Sequence, residues 1–299
     1  MNVFVTGATG YIGGAVTRAL LGAGHQVTAL VRPTSRAGLP QGVSAVVGDL
    51  TAPAEWLDQA RTHDAMIHTA FPAHGAAWAD GVRAESAVLG QLAAAKIGQC
   101  TKLFLTNGSI FLGDSASERH REQAPIAEGH PAAIRGESLA QARRDIEGAV
   151  EVRLASFVYG FGGSVFLPLL LRHAVTTGRV LLVDGHEHTR ISTLHVTAAA
   201  DAFVRLLASK DASGTYHVSS EEEPSVSQLA TALANNTGAK LVRVSAEEAA
   251  EELNPFAAMF LTTNNRLSAR RIRTLGWSHE GFDPLLWDVA FGSYLRTSS

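Results

Sequence analysis

The sequence predicts an α/β protein: a doubly wound parallel sheet carrying a smaller C-terminal lobe. Two observations predict it. Through the first half of the chain, short β-branched apolar runs alternate with longer segments of helical period. Those runs are almost continuously hydrophobic, as strands buried on both faces require. Right-handed crossovers then lay helices on both sides of the sheet.

The elements follow in order. Val3-Phe4-Val5 opens the first strand, and a helix over 15–21 stops at Gly22-Ala23-Gly24. A strand over 26–31 ends before Pro33, and a third covers 45–47. Residues 53–61 read as a helix with Thr51 as its N-cap. A strand over 65–68, an alanine-rich helix over 76–95, a strand over 103–105, a helix over 131–150 and a strand over 152–154 complete the regular part. After about residue 156 glycine, histidine and proline become frequent and the period weakens. Helices are expected over 167–175, 196–208 and 226–235, and strands over 180–183, 215–218 and 241–244. Glu221-Glu222-Glu223 reads as a solvated turn. The expected division is therefore a core over 1–156 and a segment over 157–299 that returns strands to the sheet and builds the smaller lobe.

The chain has 299 residues, 46% hydrophobic and 18% charged, enough apolar material for a large core. A net charge of -3 gives no electrostatic reason for a nucleic-acid partner. One cysteine excludes an intrachain disulfide and fits a cytoplasmic protein. Cys100 reads as a small apolar residue before a buried strand. No signal-peptide pattern precedes the first strand, and the apolar run over 167–171 is far too short to span a bilayer, so no membrane association is expected.

The first strand runs into Thr6-Gly7-Ala8-Thr9-Gly10-Tyr11-Ile12-Gly13. Each glycine has a task there. Gly7 permits the tight turn, Gly10 lets backbone approach a pyrophosphate, and Gly13 lets the helix pack on the sheet. The helix opening near Tyr11 and Ile12 offers free N–H groups and its positive end to the phosphates. A glycine trio alone is weak; one that follows a strand and opens a helix meets the context of a Rossmann dinucleotide site. The end of the second strand should face the adenosine ribose, where an NAD-selective site carries an acid. This chain has Arg32, Ser35 and Arg36, which suit a 2′-phosphate. NADP(H) is therefore the preferred cofactor and NAD(H) the alternative. Asp49, with Leu50 beside it, is placed to accept a bond from the adenine amino group or to cap a helix. Thr69-Ala70-Phe71 should pass along the nicotinamide half.

With these motifs the chain resembles the short-chain dehydrogenase/reductases in their extended or atypical form, near the NAD-dependent epimerase/dehydratases. The glycine motif carries the resemblance. It is supported by Gly48-Asp49-Leu50, Met66-Ile67-His68-Thr69-Ala70, Val158-Tyr159-Gly160, Asp184-Gly185, Leu194-His195-Val196 and Tyr216-His217-Val218. The resemblance implies a general acid/base relay of a Ser or Thr, a Tyr and a Lys beside the hydride. This sequence departs from it. Gly108 stands where the hydroxyl belongs, with Ser109 the nearest substitute; Arg135 replaces the Tyr and Leu139 the Lys. An atypical branch of the superfamily shares the Thr-x-Gly strand end and the Arg-x-x-Ser helix start.

The candidate catalytic residues are thus Ser109, Tyr159 and Arg135. Arg135 cannot act as a base, its pKa being above about 12. It reads either as an electrostatic donor to an oxyanion or as a surface charge at a helix start. Tyr159, after the sixth strand, reads either as a proton donor or as a packing tyrosine. His120 and His130 lie in the loop before Arg135 and are further proton-donor candidates, while His195 is expected to pack between the lobes. His186-Glu187-His188 lacks further ligands nearby in sequence, so no metal is expected. By analogy with related proteins, the helices over 76–95 and 132–150 would form a homodimer contact. The first functional reading is an NADP(H)-dependent oxidoreductase acting on a carbonyl or alcohol of a small molecule. The alternatives are a non-redox enzyme of the same fold (an epimerase, dehydratase or cyclase) and a dinucleotide-binding redox sensor.

Overall fold

The computed structural model describes residues 1–72 and 78–295. In chain order the first part runs β1 (Asn2–Thr6), α1 (Tyr11–Gly22), β2 (Gln26–Val31), β3 (Ser44–Val47), α2 (Leu57–Ala60), β4 (Ala65–His68), α3 (Trp78–Ala94), β5 (Lys102–Asn107), α4 (Ala133–Asp145) and β6 (Val150–Leu154). The second part runs β7 (Phe157–Tyr159), α5 (Leu167–Thr177), β8 (Arg179–Val183), β9 (Thr193–His195), α6 (Val196–Ala208), β10 (Gly214–Val218), α7 (Val226–Thr237), β11 (Lys240–Val244), α8 (Ala246–Leu253), α9 (Pro255–Thr262), α10 (Arg270–Arg273) and α11 (Leu285–Phe291).

Seven strands form one parallel sheet in the order β10-β6-β5-β4-β1-β2-β3, the Rossmann arrangement the alternating pattern predicted. Its two faces are both covered. Val3 and Val5 point to the side packed by α1 and α6, with Val16, Leu20 and Phe203. Phe4, between them, points to the other side, with Trp56, Leu89 and Leu139 from the α2–α4 layer. That alternation on one strand is why the run is hydrophobic without a break.

β10 joins the sheet edge beside β6. Two short parallel pairs, β11 with β8 and β7 with β9, lie outside it. A third core gathers Phe157, Tyr159, Leu167, Leu229 and Phe260 from these late elements. α7 and α8 each begin with a reciprocal capping box, Ser225 with Gln228 and Ser245 with Glu248.

Some boundaries differ from the sequence reading. Residues 53–61 split into a 3-10 turn over Pro53–Glu55 and the single turn α2, because Trp56 swings inward and its indole N–H donates to the Asp49 carbonyl at 2.9 Å. Thr51 caps no helix; its hydroxyl and N–H both donate to Asp49 Oδ1. The helix expected over 131–150 ends at Asp145, since Ile146 turns extended to feed β6. Ala76 and Ala77, expected to open the long helix, lie outside the described residues. Cys100 is exposed rather than buried. Glu221-Glu222-Glu223 is no solvated turn: Glu221 pairs with Arg119 and Arg273, and Glu223 with Arg119. Among the described residues no helix is long and apolar enough to cross a membrane.

Candidate functional site

The site begins where β1 turns into α1. Gly7 has φ +80, and a Cβ on it would lie 2.7 Å from both Ala70 N and Thr69 Oγ1. A Cβ on Gly13 would fall 2.1 Å from the Gly7 carbonyl oxygen. These two glycines let β1, α1 and the end of β4 touch backbone to backbone. Gly10 differs. Its φ is an ordinary -82, and a Cβ there would meet only the Gly7 oxygen, at 3.2 Å. The chain itself makes little demand for glycine at 10; the room is on the outer side, where a ligand would approach. No side chain caps α1, so its first-turn N–H groups face that space with the positive end of the helix. Tyr11 offers backbone only. Its hydroxyl donates to the Gly160 carbonyl at 2.9 Å and its ring fills the space beside Gly163.

Beside this turn a cleft of about 500 Å³ runs along the C-terminal ends of β1–β4. Gly7, Thr9 and Gly10 line its centre; Arg32 and Ser35 line one end, Thr69, Ala70 and Phe71 the other, and Asp49 and Leu50 the side under β3. Ile12 and Gly13 lie within α1, and Arg36 sits exposed on the 3-10 turn over Pro33–Gly38, outside the lining. Asp49 is exposed, and its bonds from Thr51 hold its carboxyl below the ordinary value. The tip of β2 carries a guanidinium where an acid would favour ribose hydroxyls.

The sequence reading named three catalytic candidates, and the structure treats them unequally. Ser109 is fully buried and donates to Asn265 Oδ1 at 2.8 Å. Tyr159 is fully buried, and its hydroxyl donates to the Asp283 carbonyl at 2.7 Å. Burial raises its pKa above the ordinary phenol value. Neither lines the cleft, and each hydroxyl donates to a protein acceptor, which for Tyr159 is the packing role of the two the sequence offered. Gly108 has nothing within 4 Å of its Cβ position, so the place of the missing hydroxyl is open space.

Arg135 is not a surface charge. Its Nε and Nη2 donate side-on to the two oxygens of Glu85, each at 2.9 Å, and Glu85 is fully buried. Nη2 also reaches the Thr106 carbonyl and Nη1 reaches Asn107 Oδ1, both at 3.3 Å. The guanidinium lies 4.6 Å over the ring of Phe71, which lines the cleft, although Arg135 itself does not. Burial alone would lift the Glu85 pKa; Arg135 and His68 outweigh it and hold the carboxyl below its ordinary value. His68 faces Glu85 at 3.5 Å and shares a 2.9 Å bond with Thr6 Oγ1. On the other side Asn107 donates to Glu151, which is paired with Arg153 at 3.0 Å. Buried polar groups thus cross the sheet under the cleft from β1 to β6. Glu85 was missed by the sequence reading, although it stands in the apolar stripe Val82, Glu85, Leu89, Leu92 of α3, where an acid needs a buried partner. Leu139, at the register of the ammonium, is core.

The histidines resolve individually. His120 Nε2 meets the Gly113 carbonyl at 3.2 Å, and burial lowers the pKa of His130, whose Nδ1 accepts from Ala132 N. His195 caps α6 and stacks on Phe282 at 4.6 Å. Glu187 pairs with Arg243.

Comparison with known proteins places this geometry. Residues 3–219 match the NAD dependent epimerase/dehydratase family. An uncharacterized protein of Schizosaccharomyces pombe, C2A9.02, is 28% identical over 98% of this chain and 100% of its own. An uncharacterized Saccharomyces cerevisiae protein, YLL056C, is 25% identical over 93% of this chain and 94% of its own. Among solved structures, a Thermotoga maritima UDP-glucose 4-epimerase with UDP-glucose superposes at TM-score 0.77, with 17% identity over 99% of this chain and 98% of that one. The Streptomyces venezuelae dTDP-glucose 4,6-dehydratase with NAD bound gives 0.76, with 19% identity over 99% and 96%. At such identity the solved structures establish the shared fold. The matched span takes in the glycine turn, the cleft and the Arg135 network, and the chain belongs to the NAD dependent epimerase/dehydratase family.

Proposed function

We propose that this chain is a cytoplasmic NADP(H)-dependent oxidoreductase that acts on a carbonyl or alcohol carbon of a small organic molecule. The observation that carries the reading is the cleft itself. Its centre is the glycine turn with uncapped helix N–H groups, and its ribose end holds Arg32 and Ser35 with no acid at the tip of β2. NAD is bound in the solved dehydratase, and the shared fold supports the same seat here. In that seat the Tyr11 and Ile12 N–H groups hold the pyrophosphate, Arg32 and Ser35 the 2′-phosphate, and Asp49 the adenine amino group. Bound there, the nicotinamide supplies or accepts the hydride.

Arg135 is the residue we assign to the substrate oxygen. Of its five N–H groups, Glu85, Thr106 and Asn107 occupy four, which leaves one Nη1 hydrogen beside Phe71. It polarises the carbonyl as an electrostatic donor and, being a permanent cation, gives up no proton. With Ser109 and Tyr159 turned inward, the proton that completes an alcohol comes from solvent water, and the hydroxide left behind passes to bulk solvent. The same reading takes α3 and α4, joined by Ser86 and Ser138 at 2.6 Å and exposing Ala87, Gly90 and Ile134, as a homodimer face, which sedimentation tests directly.

Cofactor fluorescence tests the reading. NADPH should bind more tightly than NADH by about 10–100-fold, the worth of a charge-assisted contact, and Arg32→Ala should erase the difference. Equal affinities would remove the 2′-phosphate assignment. A panel of aldehydes and ketones followed at the NADPH absorbance tests turnover. Leu139 in place of an ammonium and the Glu85-neutralised Arg135 favour, as a second reading, an enzyme of this fold without net redox. Tight NADPH binding with no turnover across the panel would select that reading or a redox sensor.

A further inference from the structure

Beyond the cofactor end of the cleft stands a wall of aromatic rings. Phe71 lines the cleft and meets Trp78 edge-on, with centroids 5.4 Å apart. Trp78 meets Phe256 edge-on at 5.7 Å, and Phe256 packs on Phe166 and Phe260 at 5.7 and 5.2 Å. The wall therefore runs without a break from the β4 end into the C-terminal lobe. Phe256 is held outward by design of the backbone: Asn254, at φ 135, accepts from Ala257 N at 2.8 Å and starts α9, whose Ala257, Phe260 and Leu261 turn into the core. Phe256 keeps 39% of its surface exposed while its ring stays in contact with Trp78. An exposed ring packed into a continuous aromatic surface is the form of an apolar binding wall.

The charge beside the wall points the same way. A nucleoside diphosphate needs uncommitted cations on the wall that receives it. Two arginines of this lobe are neutralised elsewhere, Arg179 by Glu252 and Arg243 by Asp184 and Glu187; Arg190 donates to the uncharged Glu223 carbonyl, and Arg172 lies exposed on α5. Arg266 is held by Ser115 and the Ala116 carbonyl. Among the described residues the cation on the wall is Arg135, and Glu85 neutralises it.

We infer that the substrate of this site is an uncharged molecule whose reacting carbonyl is attached to an aromatic or bulky apolar body, received on Phe71, Trp78 and Phe256 in preference to a sugar nucleotide. The inference rests on the oxidoreductase reading for its carbonyl and on the wall for its class. Phe256 and Trp78 are then specificity residues.

The test uses the full chain saturated with NADP+ or NADPH. Phe256→Ala should leave NADPH affinity unchanged and raise the KM for benzaldehyde by about 10-fold or more, the loss of one ring contact, while the KM for propanal changes less than about twofold. Benzyl alcohol binding to the NADP+ complex, by calorimetry, gives a readout that needs no turnover. It should weaken by a like factor in Phe256→Ala and exceed the binding of UDP-glucose and dTDP-glucose to the wild type. If no aldehyde is reduced but benzyl alcohol still binds in this pattern, the redox reading fails and the substrate class stands. If propanal and benzaldehyde are reduced with equal kcat/KM, if Phe256→Ala shifts both or neither, or if a sugar nucleotide binds more tightly than benzyl alcohol, the substrate class is overturned.

Discussion

At the Gly7–Gly13 turn the contacts are backbone on backbone, made by residues close in sequence and by the neighbouring strand end at Thr69 and Ala70. Around Arg135 they are side chain on side chain, drawn from α3, α4, β4 and β5, with partners 28 to 50 residues apart. The first arrangement leaves donors unspent, since helix N–H groups face open space. The second spends nearly all of them on itself. The glycine turn therefore keeps free donors beside the cleft, whereas the guanidinium is held in place against the Phe71 ring. At the two registers where the resemblance implies a phenol and an ammonium, this chain has the ion-paired Arg135 and the core residue Leu139.

The contrast can be broken most forcefully at Glu85. Glu85→Ala leaves Arg135 partly buried and unpaired, which should cost about 3–5 kcal/mol of stability. Thermal or urea unfolding checks it, and a loss below about 1 kcal/mol would mean that the pair is solvated and unimportant to the fold. At the far side of the same polar network lies His217, which burial, and then the nearby Arg153, hold neutral down to about pH 3. Its folded pKa is depressed below the unfolded value of 6.5, so its contribution is complete above that value and is lost as pH falls from 6.5 toward 3. The slope should approach about 1.4 kcal/mol per pH unit in that window, and His217→Gln should flatten the urea midpoint against pH. The smallest effect is expected at Tyr159. Tyr159→Phe removes one hydrogen bond to Asp283, about 1 kcal/mol, and should leave turnover of any carbonyl substrate within about twofold. A large loss of kcat with unchanged KM would return Tyr159 to the chemistry.

How far each region was legible follows from the same difference. The glycine turn, the parallel strands and the helix over 196–208 follow from local patterns, namely glycine spacing and apolar period, that a sequence displays directly. The Glu85–Arg135 pair does not, because nothing local ties an acid in an alanine-rich helix to an arginine two elements later. Its only trace was an acid in an apolar stripe. The surroundings of Tyr159 and Ser109 were not legible for the same reason: their partners, Asp283 and Asn265, come from the last part of the chain. There the four short helices α8–α11 carry too few turns for a period to show, although the Ser245–Glu248 spacing, which the sequence reading did not use, is a start signal for one. Trp56 broke a predicted helix by a tertiary contact, its indole reaching Asp49.

The central claim is that a dinucleotide pyrophosphate rests on the outer side of Gly10, and Gly10→Ala tests it most directly. A methyl there meets the protein only at the Gly7 oxygen, 3.2 Å away, so the melting temperature should fall by only a few degrees, about 1 kcal/mol. The same methyl occupies the approach of the phosphates, so NADPH affinity measured by fluorescence titration should drop about 100-fold or more. A variant that melts like the wild type and binds NADPH equally well would contradict the account.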